Sequence, residues 1–139
     1  MIWRIVHESS ILPASGVSLM KETANKNRVE IFLITARFDC LKENTYRWIK
    51  RYGLENTFKE ILINEMYEQP HLFKVKVIQD KKLDYFIEDN WDIVSYVNGK
   101  TRAKIFWIFN ILDSGRKYEY KFSYLKKALE KIRKDENLI

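Results

Sequence analysis

Short apolar runs alternate with helical patterns along most of the chain. Five runs predict strands: Ile2–Val6, Val29–Thr35, Thr57–Ile63, Leu83–Ile87 and Ala103–Asn110. The second of these runs is rich in β-branched residues and almost wholly apolar, which is typical of a strand buried on both faces. Strands and helices that alternate in this way predict an α/β fold, with a parallel sheet covered by helices on both faces.

Apolar residues at helical spacing predict the helices between these strands. One helix is predicted over Ser15–Asn27 after Pro13, and a short one over Trp91–Val97. A third stripe runs from Leu41 to Tyr52 and stops at Gly53, a natural C-terminal cap. The last predicted helix carries four apolar residues on one side: Phe122, Leu125, Leu129 and Ile132.

The segment Phe73–Ile78 fits two patterns. Its apolar residues alternate, which favours a strand that forms a hairpin with Leu83–Ile87. Leu72, Val75 and Ile78 also fit helical spacing, and Pro70 is well placed to begin a helix. Consecutive parallel strands need a long connection that is usually helical, so the topology favours the helix.

Composition indicates one compact domain over residues 1–139. Apolar residues make up 46% of the chain, and two prolines and four glycines exclude a collagen-like or linker-like chain. The longest apolar runs fall far below the roughly 20 residues that cross a bilayer, and the first residues lack the features of a signal peptide. Because Cys40 is the single cysteine, we expect no internal disulfide, and a cytoplasmic protein with no membrane contact.

The net charge of +6 favours partners that carry phosphate without specifying their class. Arg116–Lys127 interleaves basic and aromatic residues, a composition that could stack single-stranded nucleic acid. Such a segment is more often a half-buried loop and helix, and Lys126 with Glu130 has the spacing of a solvated helix face. The sequence therefore favours a small phosphorylated partner over nucleic acid.

Polar residues follow the predicted strands where a parallel sheet binds its ligands. The second strand ends in Thr35, with Arg37 just beyond it, and Glu88 and Asp89 follow the fourth strand. Ligands of open α/β sheets bind beyond the carboxyl ends of the strands, so these side chains are expected to converge. Arginine suits a phosphate, and carboxylates with phosphate oxygens suit Mg²⁺.

Two of these segments resemble a known family. LITAR (Leu33–Arg37) and YFIEDN (Tyr85–Asn90), with Glu43-Asn44-Thr45, Trp48 and Tyr52-Gly53-Leu54 between them, resemble the haloacid dehalogenase (HAD) superfamily. The nearest similarity is to its small 5′-nucleotidase-like and phosphatase-like branches. The resemblance implies a Rossmann-like sheet of five parallel strands in the order 5-4-1-2-3, with little or no cap domain.

The resemblance also implies roles for individual residues. Thr35 takes the position that holds the transferred phosphoryl group, and Lys74 the position that stabilises its charge, with Lys76, Lys81 and Lys82 as competitors. The acidic motif that completes Mg²⁺ coordination corresponds to Glu88 and Asp89. Asp89 is the preferred ligand of the two, and Asp92 is a further candidate.

The first motif of the family departs from its pattern here. The family carries Asp-x-Asp after the first strand, whereas His7 takes the nucleophile position and Ser9 the acid/base position. Imidazole is a poor ligand for a hard cation, and serine has no proton-transfer pKa near neutrality. Glu8 is one residue out of register, so strand alternation points it to the other face.

Two explanations of this departure stay open. The protein is either a pseudoenzyme that keeps the phosphate side of the site, or its reading frame begins after the true first motif. The predicted function is a phosphomonoesterase-related or nucleotidase-related domain with weak or no hydrolysis. The alternative is a non-catalytic binding or regulatory module for a phosphorylated ligand or a protein partner. Substrate and oligomeric state do not follow from the sequence.

Overall fold

The computed structural model describes residues 2–5, 14–25, 29–35 and 42–137. Within them the strands are β1 (Ile2–Ile5), β2 (Ile31–Thr35), β3 (Phe58–Ile63), β4 (Tyr85–Glu88), β5 (Lys104–Ile108) and β6 (Lys121–Phe122). The helices are α1 (Ala14–Asn25), α2 (Lys42–Arg51), α3 (Pro70–Asp80), α4 (Trp91–Val97) and α5 (Leu125–Asp135). A 3₁₀ turn over Ile111–Asp113 follows β5.

The strands form parallel pairs in the order β3-β2-β1-β4-β5-β6. β1 lies between β2 and β4, so Ile2 is paired with Ile31 on one side and with Tyr85 on the other. The chain builds β2 and β3 on one side of β1 and then crosses over, through α3, to begin β4 on the other side. The strand order therefore reverses next to β1.

Two apolar cores cover the two faces of the sheet. Leu33 and Ile87 belong to the core that includes residues of α1, α2 and α5. Ile34 and Phe86 belong to the core that includes residues of α3 and α4. Neighbouring residues of one strand thus enter opposite cores, as the alternation of side chains along a strand requires. β2 and β4 are buried on both faces, which explains their nearly continuous apolar sequence.

The predicted α/β class, with parallel strands and helices, is confirmed. Two details of the prediction are wrong. The described residues contain six strands rather than five, because the two-residue strand β6 pairs with β5. Phe122 lies in β6 and not in the last helix, which begins at Leu125. A run of two residues is too short to show an alternating pattern.

The ambiguous segment Phe73–Ile78 is helical and lies within α3. Pro70 is the first residue of this helix, where its missing N–H costs no hydrogen bond. Lys74, Val77 and Ile78 are the buried residues of α3. Since positions i, i+3 and i+4 share a helix face, α3 directs a lysine into the core beside two aliphatic side chains. This buried lysine is one of the residues of the candidate site.

Candidate functional site

The candidate site lies at the carboxyl edge of the sheet, where β2 and β4 end on either side of β1. This is the place where the strand order reverses, the usual ligand site of open α/β sheets. β2 ends at Thr35 and β4 ends at Glu88. Adjacent strands lie about 4.8 Å apart, so two strands that flank a third are separated by about 10 Å. A small ligand above the end of β1 could span that distance.

Lys74 and Glu88 form an ion pair inside the protein at this edge. Nζ of Lys74 lies 2.8 Å from Oε2 of Glu88, and the two side chains are 2% and 0% exposed. Glu88 shares the alternation of Phe86 along β4 and therefore faces α3, which carries the lysine. Oε1 of Glu88 accepts hydrogen bonds from the backbone N–H groups of Asp89 and Asn90, at 3.0 and 3.1 Å. Both carboxylate oxygens are thus engaged.

The environment of Glu88 favours its neutral form. Burial raises the pKa of this carboxyl to about 7, and the neighbouring Asp89 adds to the rise. The ammonium group of Lys74 opposes the rise without cancelling it. Glu88 therefore changes its protonation near neutral pH, in contact with the rim of the candidate site.

Thr35 reaches the same edge from the other side of β1. It is 2% exposed, and its carbonyl accepts the N–H of Asn64 at 3.1 Å. By alternation Thr35 belongs to the face of Leu33, opposite to the face of Glu88. A ligand held by both sides must therefore sit over the end of β1 rather than on one face of the sheet.

Asn64 organises the loop that follows β3. Its amide donates to the carbonyl of Glu68 at 2.7 Å, and its Oδ1 accepts the N–H of Glu68 at 2.9 Å. This buried asparagine therefore fixes the start of the loop beside Thr35. Its position directly after an apolar strand is the sequence signal for such a role.

A polar cleft of about 460 Å³ opens beside Asp89. Asn90 and Asn110, at the ends of β4 and β5, each accept a backbone N–H two or three residues further along the chain, those of Asp92 and Asp113. These side-chain caps turn the chain away from the sheet and leave a space between the two loops.

Trp91 and Arg116 line this cleft and were not predicted as site residues. Arg116 lies over the ring of Trp91, at 5.4 Å, and its Nε donates to Asp113 at 3.1 Å. Trp91 in turn packs against Trp107, with 4.5 Å between the ring centroids. Arg116 is far from Asp89 in sequence, and no local motif connects them. The sequence could predict site residues only among the polar residues that directly follow the strands.

The Mg²⁺ implied by the family resemblance can be tested against these contacts. Glu88 does not fit as a direct ligand, because Lys74 and two backbone N–H groups already occupy its carboxylate. Asp89 lies in the lining of the cleft and fits better. Among residues 2–5, 14–25, 29–35 and 42–137, no group of three or more carboxylate, histidine or cysteine side chains could hold a metal ion.

Several predicted site residues lie outside the described residues. These are His7, Glu8, Ser9 and Arg37. Of the remaining ones, the structure joins Lys74 directly to Glu88 and brings Thr35 to the same edge of the sheet. Asp92 is exposed, and its N–H is the group that Asn90 caps. The competing lysines are arranged differently: Lys76 pairs with Glu68, and Lys81 pairs with Glu60.

In the basic and aromatic segment Arg116–Lys127, two half-buried tyrosines contact strand β5. The hydroxyl of Tyr118 donates to the carbonyl of Ile105 at 2.7 Å, and burial raises the pKa of this hydroxyl to about 12. Tyr120 stacks on Phe106, with 5.2 Å between the ring centroids. Lys121 donates to the carbonyls of Ser114 and Arg116. Tyr118 and Tyr120 are thus half-buried, whereas Tyr124 in the same segment is exposed, with Nζ of Lys127 5.1 Å from the centre of its ring.

Neither a scan against protein-family models nor a search of curated protein sequences finds a match to this chain. Within the described ranges, each helix lacks the length or the apolar character that a membrane span requires.

Proposed function

We propose that this chain is a HAD-like domain that binds a small phosphorylated molecule at the carboxyl edge of its sheet and hydrolyses it weakly or not at all. The observation that carries this proposal is the buried ion pair between Lys74 and Glu88. Burying two charges is expensive, so such a pair is a weak source of stability on its own. Its position at the topological switch point favours a role in charge stabilisation at the ligand site.

The fold assigned with this proposal is a HAD-type sheet in the order 5-4-1-2-3 with little or no cap, to which β6 is an addition at the β5 edge. The pairing of β1 with both β2 and β4 supports this order. The spacing of fourteen residues between Lys74 and Glu88 agrees with the resemblance.

In the proposed complex, residues on the two sides of β1 have different roles at the carboxyl edge of the sheet. The hydroxyl of Thr35 binds a phosphate oxygen from the β2 side, and Lys74 supplies positive charge from the α3 side. Asp89, rather than Glu88, is the side chain that would meet Mg²⁺ together with phosphate oxygens. The missing step is nucleophilic attack, because His7 and Ser9 replace the two aspartates of the family motif.

An assay with p-nitrophenyl phosphate and a panel of nucleoside monophosphates, in Mg²⁺ and in EDTA, tests the catalytic part. We expect hydrolysis close to the level of a buffer blank in the wild type and in Asp89→Asn alike. Mg²⁺-dependent turnover that disappears in Thr35→Ala or Asp89→Asn would overturn the assignment as a pseudoenzyme. Asp80→Asn, at the exposed end of α3, is a control for the loss of one carboxylate away from this edge.

A non-catalytic module for the same phosphorylated ligands is the second candidate, and the engagement of Glu88 by Lys74 favours it. The two candidates differ in turnover alone, so the same assay separates them. The nucleic acid hypothesis has less support, because Tyr118 and Tyr120 are half-buried against strand β5. Oligonucleotide binding with a steep salt dependence that is lost on substitution of Lys126 and Lys127 would restore it.

A further inference from the structure

A second cavity lies at the amino edge of the sheet, opposite to the candidate site. Its volume is about 590 Å³, within the range of small-molecule sites. Buried Ile78, Leu83 and Tyr85 contribute apolar side chains to its lining. The cavity opens between the end of α3 and the beginnings of β4 and β5. It is therefore separate from Glu88, which ends β4 at the other edge.

Three cationic residues line this cavity: Lys82, Arg102 and Lys104. Within the described residues, none of the three forms an ion pair. Two carboxylates, of Asp84 and Glu136, also line it, and Glu136 accepts the hydroxyl of Tyr85. The lining thus carries three positively charged and two negatively charged side chains, a small excess of positive charge.

The hydroxyl of Thr101 contributes a polar group to the same lining. Its Oγ1 is buried and has no hydrogen-bond partner in the described structure. Buried hydroxyls in proteins are almost always paired, so this one calls for a partner. An acceptor oxygen on a molecule inside the cavity would supply it once the side chain turns toward the cavity, because Oγ1 is covered in the described conformation.

Lys82 adopts a backbone conformation that lysine rarely takes. It follows the end of α3 with φ of 51°, at the position where a helix usually places glycine. The N–H of Leu83 donates a hydrogen bond to the carbonyl of Ile78 at 3.1 Å, across the turn that ends α3. The corresponding position after α2 is Gly53, with φ of 63°. The chain therefore keeps a cation at the cavity in a conformation that glycine would adopt with less strain.

From these observations we propose that the cavity beside Lys82, Thr101 and Arg102 binds a small molecule through a phosphate-type anionic group. Arg102 offers planar N–H groups that suit two oxygens of one anion, and Lys82 and Lys104 add charge. Thr101 donates to a third oxygen after its side chain has turned toward the cavity. This site does not depend on the function proposed for the carboxyl edge.

The test is a titration of the ¹⁵N-labelled protein with inorganic phosphate and with pyrophosphate, followed by amide chemical shifts. We expect the amides of Gln79, Lys82 and Thr101 to move together. Lys82→Gly and Arg102→Gln should each weaken binding at least tenfold. Lys100→Gln removes the same charge from an exposed lysine outside the cavity lining, and should change the affinity less than twofold.

Lys82→Gly also separates binding from folding, since glycine suits this backbone position and should leave the melting temperature unchanged or raised. Thr35→Val changes the candidate site at the carboxyl edge and should leave these amide shifts unchanged. The proposal for the cavity and the proposal for the carboxyl edge can therefore fail independently. The inference is overturned if the three amides do not move. It is also overturned if Lys82→Gly and Lys100→Gln weaken binding equally, which would indicate diffuse charge attraction only.

Discussion

Nζ of Lys74 lies 2.8 Å from Oε2 of Glu88, and both side chains are withdrawn from solvent. The lysine comes from a helix that covers the sheet, and the glutamate ends a strand beside β1. The pair joins two elements at the point where the order of the strands reverses. Substitutions of Lys74 or Glu88 should therefore change the free energy of unfolding, which can be measured without any ligand.

Removing one partner of this pair should be costly. Lys74→Met keeps most of the side-chain volume and leaves the Glu88 carboxyl without its cation. At pH 8 we expect the free energy of unfolding, measured with urea, to fall by about 3–5 kcal/mol. The double variant Lys74→Met with Glu88→Gln should recover part of that loss. A loss below about 1 kcal/mol in the single variant would show that the two groups do not interact in solution.

The protonation of Glu88 should make stability depend on pH. Its pKa is raised from 4.5 in the unfolded chain to about 7 in the folded protein, chiefly by burial. Between these values the folded state binds more protons than the unfolded state, so stability falls as pH rises through this window. Relative to Glu88→Gln, the wild type should lose up to about 3 kcal/mol between pH 4.5 and pH 7.

Urea unfolding of the wild type and Glu88→Gln at several pH values gives this difference directly, because contributions from other groups cancel to first order. The raised pKa would be contradicted if the stability of the wild type relative to Glu88→Gln stayed constant, or rose, as the pH increases. The groups that act on Glu88 in the structure are Lys74 and Asp89. Repeating the series with Asp89→Asn should lower the upper end of the window, since Asp89 adds to the rise.

The ends of α2 and α3 should respond in opposite ways to the same kind of substitution. Gly53 has φ of 63°, so Gly53→Ala introduces a side chain where the left-handed backbone disfavours one. We expect a loss of about 1 kcal/mol in thermal or urea unfolding. Lys82→Gly places glycine at the equivalent position and should be neutral or slightly stabilising. Equal destabilisation by both changes would contradict this description of the two helix ends.

Tyr118 should contribute to stability through its hydroxyl. Tyr118→Phe keeps the ring and leaves the carbonyl of Ile105 without this donor, so we expect a loss of about 1 kcal/mol. Tyr120→Phe is the matched control, because its ring stacks on Phe106 and only a hydroxyl is removed. A loss in urea unfolding that is no larger for Tyr118→Phe than for the control would show that this hydroxyl does not hold the β5–β6 connection.

The segment Phe73–Ile78 shows how one buried lysine can obscure a sequence pattern. A helix that packs on a sheet usually presents an unbroken apolar stripe, but α3 places Lys74 among its buried residues. With a lysine at a core position, the remaining apolar residues alternate and imitate a strand. Topology resolved the ambiguity, since parallel strands need a long connection between them.

The apolar strands were predictable because a strand buried on both faces has a continuous apolar sequence, as in Ile31–Thr35. Contacts between residues that are distant in sequence could not be predicted. Nothing local connects Arg116 with Trp91, or Lys82 with Arg102, because their proximity depends on loops folding over the sheet. The sequence could predict which residues follow each strand, but not which loops enclose a cavity with them.

The most direct test of the central claim is to measure binding and turnover of one ligand in the same sample. A nucleoside monophosphate is titrated into the protein with Mg²⁺, and both the affinity and the amount of intact ligand are followed. Our account predicts saturable binding, intact ligand after hours, and at least tenfold weaker binding in Thr35→Val. Thr57→Val, the same change at a buried threonine just before β3, should bind like the wild type. Equal binding by both variants, or release of phosphate that Thr35→Val abolishes, would contradict it.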